Sequence, residues 1–105
     1  MNIKSERQLE NELKEFCNLN DIYCVKLRKA SESSWPDRTL LFRGHAMFLE
    51  LKREGEKPTK IQVYTLNMLS NLGFLAEWVD NIEDVKKLVT NWRNYVINLH
   101  SREQG

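Results

Sequence analysis

The strongest constraint on the fold is a pair of β-prone runs that flank the short sequence Arg43-Gly44-His45. The first run covers Arg38 to Phe42 and the second covers Ala46 to Lys52, and both are rich in the side chains that favour strands. A glycine between two such runs is typical of a tight hairpin turn. The sequence therefore predicts an antiparallel β-hairpin in the middle of the chain.

The length of the turn decides which side chains meet across this hairpin. With a two-residue turn, Phe42 faces His45, and the same register continues until Asp37 faces Glu50. Directly opposed residues have Cβ atoms about 4.5–5.5 Å apart. Two carboxylates so close repel, so the pair needs a proton, a cation or a metal. A turn one residue longer would move Asp37 out of this register.

The alternate residues of the second strand divide into an apolar set and a set that carries charge. The apolar set, which we expect to face the core, consists of Met47, Leu49 and Leu51. The other set consists of Phe48, Glu50 and Lys52. Asp37, Glu50 and Lys52 are therefore expected on one side of one hairpin.

Two carboxylates and an ammonium in one place suit the hydrolysis of a phosphodiester. Hard oxygen ligands suit Mg²⁺, which takes one or two protein carboxylates and keeps several waters. Such a metal polarises a phosphoryl oxygen, and a neighbouring lysine stabilises the charge that develops in the transition state. The competing interpretation is a pair of surface carboxylates beside a lysine, because Glu-x-Lys is a weak motif.

Capping signals and apolar periodicity predict helices on both sides of the hairpin. Ser5 and Gln8 form a capping-box pattern before a helix that we expect from about Glu6 to Leu19. Pro58 suits the first residue of a second helix and Gly73 suits its stop. Both helices carry apolar residues at helical spacing.

The rest of the chain completes the predicted topology. Short strands are expected over residues 22–27 and 73–79, and a last amphipathic helix over about 82–100. The order is then α-β-β-β-α-β-α. It predicts an α/β fold in which a mixed sheet is flanked by helices.

The composition restricts the class of protein. With 105 residues, the chain is expected to form one domain, residues 1–105. The net charge is only +1, but residues 24–62 hold nine Lys/Arg against five Asp/Glu. This local basic excess suits the binding of a polyanion, and the competing interpretation is a solvated charged face. Two cysteines and no apolar run near the roughly 20 residues of a membrane span predict a reduced, cytoplasmic protein.

Several short motifs follow one another at characteristic spacings. They are Trp35-Pro36-Asp37-Arg38, Phe48-Leu49-Glu50-Leu51-Lys52, Lys57-Pro58-Thr59-Lys60-Ile61-Gln62 and Leu72-Gly73-Phe74. Together they resemble the VRR-NUC family of the PD-(D/E)XK nuclease superfamily, over about residues 5–90. The resemblance implies a restriction-endonuclease-like fold and a Mg²⁺-dependent endodeoxyribonuclease, with Mn²⁺ as a substitute and no other cofactor. One departure is Ser34-Trp35, where the family usually has Gly-Val or Gly-Ile.

The resemblance also implies roles for individual residues. Asp37 and Glu50 would be metal ligands together with the Leu51 carbonyl, and Lys52 would be the catalytic lysine. Gln62 would contact the site or the attacking water. These expectations agree with the convergence that the hairpin register predicts for Asp37, Glu50 and Lys52.

A glutamate of the first helix completes the site in the resembling family. The usual spacing favours Glu10 as a catalytic residue and metal ligand, with Glu6 and Glu12 as alternatives. Glu6 is also explained simply by its place at a helix N-terminus, where a negative charge is favourable.

The expected partner is DNA. Trp35 is expected either to stack on a base or wedge a junction, or to pack under the hairpin. Stand-alone members of the family resemble Holliday-junction resolving enzymes, so the resemblance implies branched DNA as the substrate and a homodimer. The last helix is a candidate dimer interface. The expected location is the cytoplasm of a bacterial cell or of a phage-infected host. The alternatives are flap cleavage, nicking of plain duplex, DNA binding without cleavage, and an interaction role in which the last helix joins a larger complex. The expected DNA-binding residues are Lys26, Arg28, Lys29, Trp35, Arg38, Arg53, Lys57 and Lys60.

Overall fold

The computed structural model describes residues 4–27 and 34–104. Its elements follow the predicted order α-β-β-β-α-β-α and build the predicted mixed α/β fold. The elements are α1 (Glu6–Leu19), β1 (Tyr23–Val25), β2 (Arg38–Phe42), β3 (His45–Leu51), α2 (Lys60–Asn71), β4 (Leu75–Val79) and α3 (Ile82–Gln104). Within these ranges, no helix combines the length and apolar character needed to cross a membrane.

The first helix has the boundaries that its capping signal predicts. The Gln8 amide donates to the Ser5 hydroxyl at 3.1 Å, and the Ser5 amide donates to Gln8 Oε1 at 2.7 Å. The helix ends in a tight reversal, in which the amide of Ile22 donates to the Cys17 carbonyl at 2.9 Å. Asp21 adopts a left-handed conformation (φ 59°) in this reversal, which leads directly into β1.

The hairpin of β2 and β3 has the predicted two-residue turn. Phe42 pairs with His45, and the ladder continues to the pair Arg38–Leu49. Arg43 and Gly44 both have positive φ (47° and 83°), which is the geometry of a turn that matches the strand twist. The strand β2 begins at Arg38, so Asp37 lies one residue beyond the ladder.

The sheet has the order β1-β2-β3-β4, with antiparallel pairs except for the parallel pair β3–β4. Helices α1 and α3 cover one face, and their apolar residues pack with Met47, Leu49 and Leu51 as predicted. Helix α2 covers the other face through Leu66 and Leu69, which pack on Phe48. Strand β3 is therefore buried on both faces, whereas the sequence analysis assigned a core to only one.

Several element boundaries differ from the predictions. Helix α2 begins at Lys60 with Thr59 as its N-cap, so Pro58 precedes the helix and is not its first residue. Strands β1 and β4 are shorter than expected, and α3 extends to Gln104. These differences arise because strand ends depend on their partners and helix ends on the caps that are used.

Candidate active site

The site begins where the chain enters β2. The carboxylate of Asp37 accepts a hydrogen bond from the backbone amide of Leu51, and the N–O distance is 2.8 Å. This bond fixes Asp37 against the end of β3, at the residue that follows Glu50. Pro36 precedes Asp37, and its ring restricts Trp35 before it to extended backbone, which favours an extended entry into the strand.

The carboxylate of Glu50 lies beneath α2 and is only 3% exposed. Its Oε2 accepts a hydrogen bond from Gln62 Nε2 at 2.9 Å. Gln62 Oε1 in turn accepts from the Thr59 amide at 2.9 Å, and the Gln62 amide donates to the Thr59 hydroxyl at 3.3 Å. The capping box of α2 therefore orients the amide group that holds Glu50.

The ammonium group of Lys52 completes this arrangement. Lys52 Nζ lies 3.5 Å from Glu50 Oε2, and the lysine side chain is 14% exposed. Its backbone is fixed as well, because the Lys52 amide donates to the Val79 carbonyl of the neighbouring strand at 2.9 Å. The structure thus brings together the four side chains that the sequence analysis assigned to the site hairpin and α2, namely Asp37, Glu50, Lys52 and Gln62.

The oxygens at this place have the chemistry of a hard-cation site. In an extended residue the amide and the carbonyl point to the same edge, so the Leu51 carbonyl faces the edge at which its amide contacts Asp37. Asp37, Glu50 and this carbonyl are a donor set that fits Mg²⁺, which needs few protein ligands. Within residues 4–27 and 34–104, no three His, Cys, Asp or Glu side chains form a metal-binding group by themselves.

Glu10, the first-helix carboxylate that the sequence analysis favoured, is held in ion pairs. It accepts a hydrogen bond from the guanidinium of Arg38, and Lys26 Nζ lies 3.6 Å from Glu10 Oε1. Partial burial acts to raise the pKa of Glu10, but the Arg38 and Lys26 cations outweigh it and hold the pKa below its ordinary value. The Glu10 carboxylate is therefore committed to Arg38.

The two alternative glutamates have different surroundings. Glu12 is paired with Lys4 at the surface, at 2.7 Å. Glu6 lies at the start of α1, and its pKa is raised by partial desolvation and by the nearby Asp37 carboxylate, against the opposite effect of Lys52. Asp37 and Lys52 are therefore both electrostatic neighbours of the Glu6 carboxylate.

The seven basic residues among the predicted DNA-binding residues fall into three groups. Arg28 and Lys29 lie outside the described residues. Arg38 is 5% exposed and is paired with Glu10, so it does not present its charge at the surface. The exposed group consists of Lys26, Arg53, Lys57 and Lys60.

Trp35 packs under the hairpin, which was one of its two predicted places. Its ring meets Phe48 edge-on, with centroids 5.7 Å apart, and it borders the core between the sheet and α2. The side chain is only partly buried. It therefore supports the loop that carries Asp37.

Two further signals in the sequence locate parts of this site. Thr59 and Gln62 have the same N-cap and N3 spacing as Ser5 and Gln8, which identifies the start of α2 and orients Gln62. Arg38 alternates with Leu40 and Phe42, two core residues, so its side chain had to point inward.

The fold has a counterpart among solved structures. No protein-family model matches the sequence, and no curated protein matches it significantly. A solved structure described as a VRR_NUC domain superposes on this chain with a TM-score of 0.74 at 24% identity, and the match covers 83% of this chain and 97% of that one. The chain therefore has the fold of a VRR_NUC domain, as its motifs predicted.

Proposed function

We propose that this protein is a metal-dependent DNA endonuclease. The observation that carries the proposal is the convergence of Asp37, Glu50, Lys52 and Gln62 at the end of the hairpin. The likeness to a VRR_NUC domain supports it, because the same fold is found in a structure with a nuclease-domain description. Asp37 and Glu50 supply the acidic oxygens, Lys52 the cation and Gln62 the group that orients Glu50.

The proposed chemistry is the attack of water on a phosphodiester. Asp37, Glu50 and the Leu51 carbonyl would hold Mg²⁺, which supplies charge to the phosphoryl oxygens and lowers the pKa of a water when it is bound. Gln62 fixes the orientation of the Glu50 carboxylate. Lys52 presents N–H donors to the attacking water and to the negative charge that develops on the phosphate. Glu6 is our candidate for the first-helix carboxylate, because its pKa is perturbed by both Asp37 and Lys52.

The surface that would seat DNA follows the exposed lysines and arginine near this site. Arg53, Lys57 and Lys60 lie between the end of β3 and the first turn of α2, beside Lys52 and Gln62. Lys26 follows β1 and is also exposed. Contacts from such side chains to phosphates release counterions, so binding should weaken as salt rises.

Branched DNA and a homodimer are part of the proposal. A two-fold dimer has two active sites, which suits a four-way junction that is cut on two strands. In helix α3, Trp92 is buried in the core and Tyr95 is exposed. A longer exposed apolar stripe lies on α2, and it consists of Ile61, Tyr64, Met68 and Leu72.

The dimer can be tested separately from cleavage. Light scattering should give twice the monomer mass for the wild type. Tyr64→Glu with Met68→Glu should give the monomer if the stripe on α2 is the seam, whereas Tyr95→Glu should leave the dimer intact. A monomeric wild type would refute the proposed dimer. If Tyr95→Glu alone gives the monomer, the dimer interface lies on α3 and not on α2.

Cleavage is tested with a labelled four-way junction and a matched linear duplex, each with Mg²⁺ or with EDTA. Asp37→Asn keeps an acceptor for the Leu51 amide but removes the charge, so we expect normal folding and a loss of about 10²–10³-fold or more in rate. Glu15→Ala, on the exposed side of α1, is the matched control and should cleave normally.

The outcomes of this assay distinguish three functions: a resolving nuclease, an unselective nuclease and a DNA-binding module. Paired cuts confined to the junction would support a resolving nuclease. Equal cutting of both substrates would keep the nuclease and discard junction selectivity. If neither Mg²⁺ nor Mn²⁺ supports cutting although the DNA is bound, the protein is a binding module and the proposed function is wrong.

A further inference from the structure

Two cysteines that the proposed chemistry does not use lie side by side between α1 and β1. Cys17 is in the last turns of α1 and is fully buried in the main core cluster. Cys24 is in the middle of β1, is partly buried and packs against the same cluster. Both are free thiols.

The tight reversal after α1 explains why the two thiols meet. The amide of Ile22 donates to the carbonyl of Cys17, which ties the start of β1 to the helix. Ile22 is buried in the core, and Cys24 lies two residues farther along the extended chain, so its side chain returns to the same face. That face is the one on which Cys17 lies, so both side chains pack in the same core cluster, where each thiol perturbs the pKa of the other.

The surroundings of the pair make the two thiols unequal. The neighbouring Cys17 thiol and the Arg38 guanidinium lower the pKa of Cys24, against the effect of burial. The Cys24 thiol and burial raise the pKa of Cys17. Cys24 is also the more accessible of the two, because Cys17 is fully buried, so an oxidant from solvent meets Cys24 first.

We propose that Cys17 and Cys24 are a redox-sensitive modification site, at which a hydroperoxide converts the two thiols into a reversible disulfide that joins α1 to β1. The arrangement places a partly exposed thiol beside a buried thiol in the same cluster, as in redox sensors that hold a resolving cysteine next to the reactive one. In a reducing cytoplasm such a bond is transient, because thiol–disulfide exchange returns it to the dithiol.

The reaction balances with one peroxide for each pair. The Cys24 thiolate attacks a peroxide oxygen, so that an S–O bond forms, the O–O bond breaks and hydroxide leaves, which takes up a proton to become water. The Cys17 sulfur then attacks the Cys24 sulfur, an S–S bond forms, the S–O bond breaks and the hydroxyl leaves as water with the Cys17 proton. Two thiols are oxidised and one peroxide is reduced to two waters.

The test follows the thiols of the folded, full-length protein rather than nuclease activity. Wild-type protein freed of reductant is treated with hydrogen peroxide, denatured, alkylated and weighed by mass spectrometry. We expect the monomer to lose two hydrogens, both cysteines to resist alkylation, and dithiothreitol to restore both thiols. An adduct-free protein with both thiols intact, or a disulfide between two chains only, would overturn the proposal.

Single variants test the order of events. In Cys17→Ala the Cys24 sulfenic acid has no resolving thiol, so a dimedone probe should label it at Cys24. In Cys24→Ala the fully buried Cys17 should keep its thiol during the same exposure. Oxidation of Cys17 in that variant at the wild-type rate would refute the role of Cys24. The wild-type measurement decides the proposal by itself if either variant fails to fold.

Discussion

Glu10 and Glu6 lie one turn apart on α1, and we predict that they have different roles. Replacement of Glu10 by Gln leaves the guanidinium of Arg38, which is 5% exposed, without its carboxylate partner. Loss of one partner from a fully buried ion pair costs about 3–5 kcal/mol. Because the Glu10 side chain is 24% exposed and a neutral amide can still accept a hydrogen bond, we expect a cost of about 2 kcal/mol. The contribution of Lys26 is small, because its side chain is 62% exposed.

The assays are urea and thermal unfolding, both followed by tryptophan fluorescence, together with the rate of DNA cleavage for each variant. For a domain of this size, about 2 kcal/mol lowers Tm by roughly 8 °C. Because Glu10 is bound to Arg38, its replacement should raise the activation free energy of cleavage by less than about 1.4 kcal/mol, which corresponds to a factor of ten in rate. Cleavage by Glu10→Gln should therefore remain within about tenfold of the wild type at a temperature where the variant is folded.

Glu6→Gln is the matched control. It removes the same charge one turn away, from an exposed residue whose carboxylate is repelled by Asp37, so the free energy of unfolding should change by less than about 0.5 kcal/mol. Its effect should fall on cleavage instead, because its pKa is perturbed by both Asp37 and Lys52. A Glu10→Gln protein that keeps the wild-type Tm but loses cleavage would refute this reasoning and return Glu10 to the site.

Three further predictions follow from the same contacts. Folding lowers the pKa of Glu10 from its ordinary 4.5, so the ionised Glu10 carboxylate stabilises the folded state fully above that pH, and this stabilisation is lost as the pH falls through the folded pKa. The difference in unfolding free energy between wild type and Glu10→Gln should therefore shrink in acid. A difference that stays constant with pH would contradict this prediction. Lys57→Ala should weaken binding to junction and duplex alike and reduce the slope of log K against log salt by about 1, whereas an unchanged slope would place Lys57 away from the phosphates. Gln62→Ala should cost about 1–2 kcal/mol more in unfolding free energy than Gln8→Ala, because both residues complete a capping box but only Gln62 also holds Glu50; equal losses in chemical denaturation would exclude that bond.

The hairpin was predictable because its determinants are local. Arg43 and Gly44 supply the turn, the turn sets the register, and strand alternation then assigns Glu50 and Lys52 to one face. Asp37 required only one more step, since it precedes the first ladder residue. The part of the site that lies within residues 37–52 therefore followed from sequence spacing.

The second core was not predicted, because it depends on a distant element. Phe48 and Glu50 alternate with apolar residues, a pattern that resembles a strand with one solvent-facing side. Only the parallel crossover brings α2 over that side, where Leu66 and Leu69 cover Phe48 and Gln62 reaches Glu50. Burial of Glu50 under a helix is a tertiary effect that strand periodicity does not report.

The choice between Glu6 and Glu10 shows why spacing alone could not complete the site. Residues four apart lie on the same face of a helix, about 6 Å along its axis, so α1 offers both carboxylates to the start of β2. There, Asp37 and Arg38 are neighbours in sequence, and successive extended residues point to opposite faces. The inward Arg38 takes Glu10, and Glu6 is left to interact with Asp37 and Lys52. A buried arginine beside Asp37 thus assigns one glutamate to the fold and leaves the other to the proposed site.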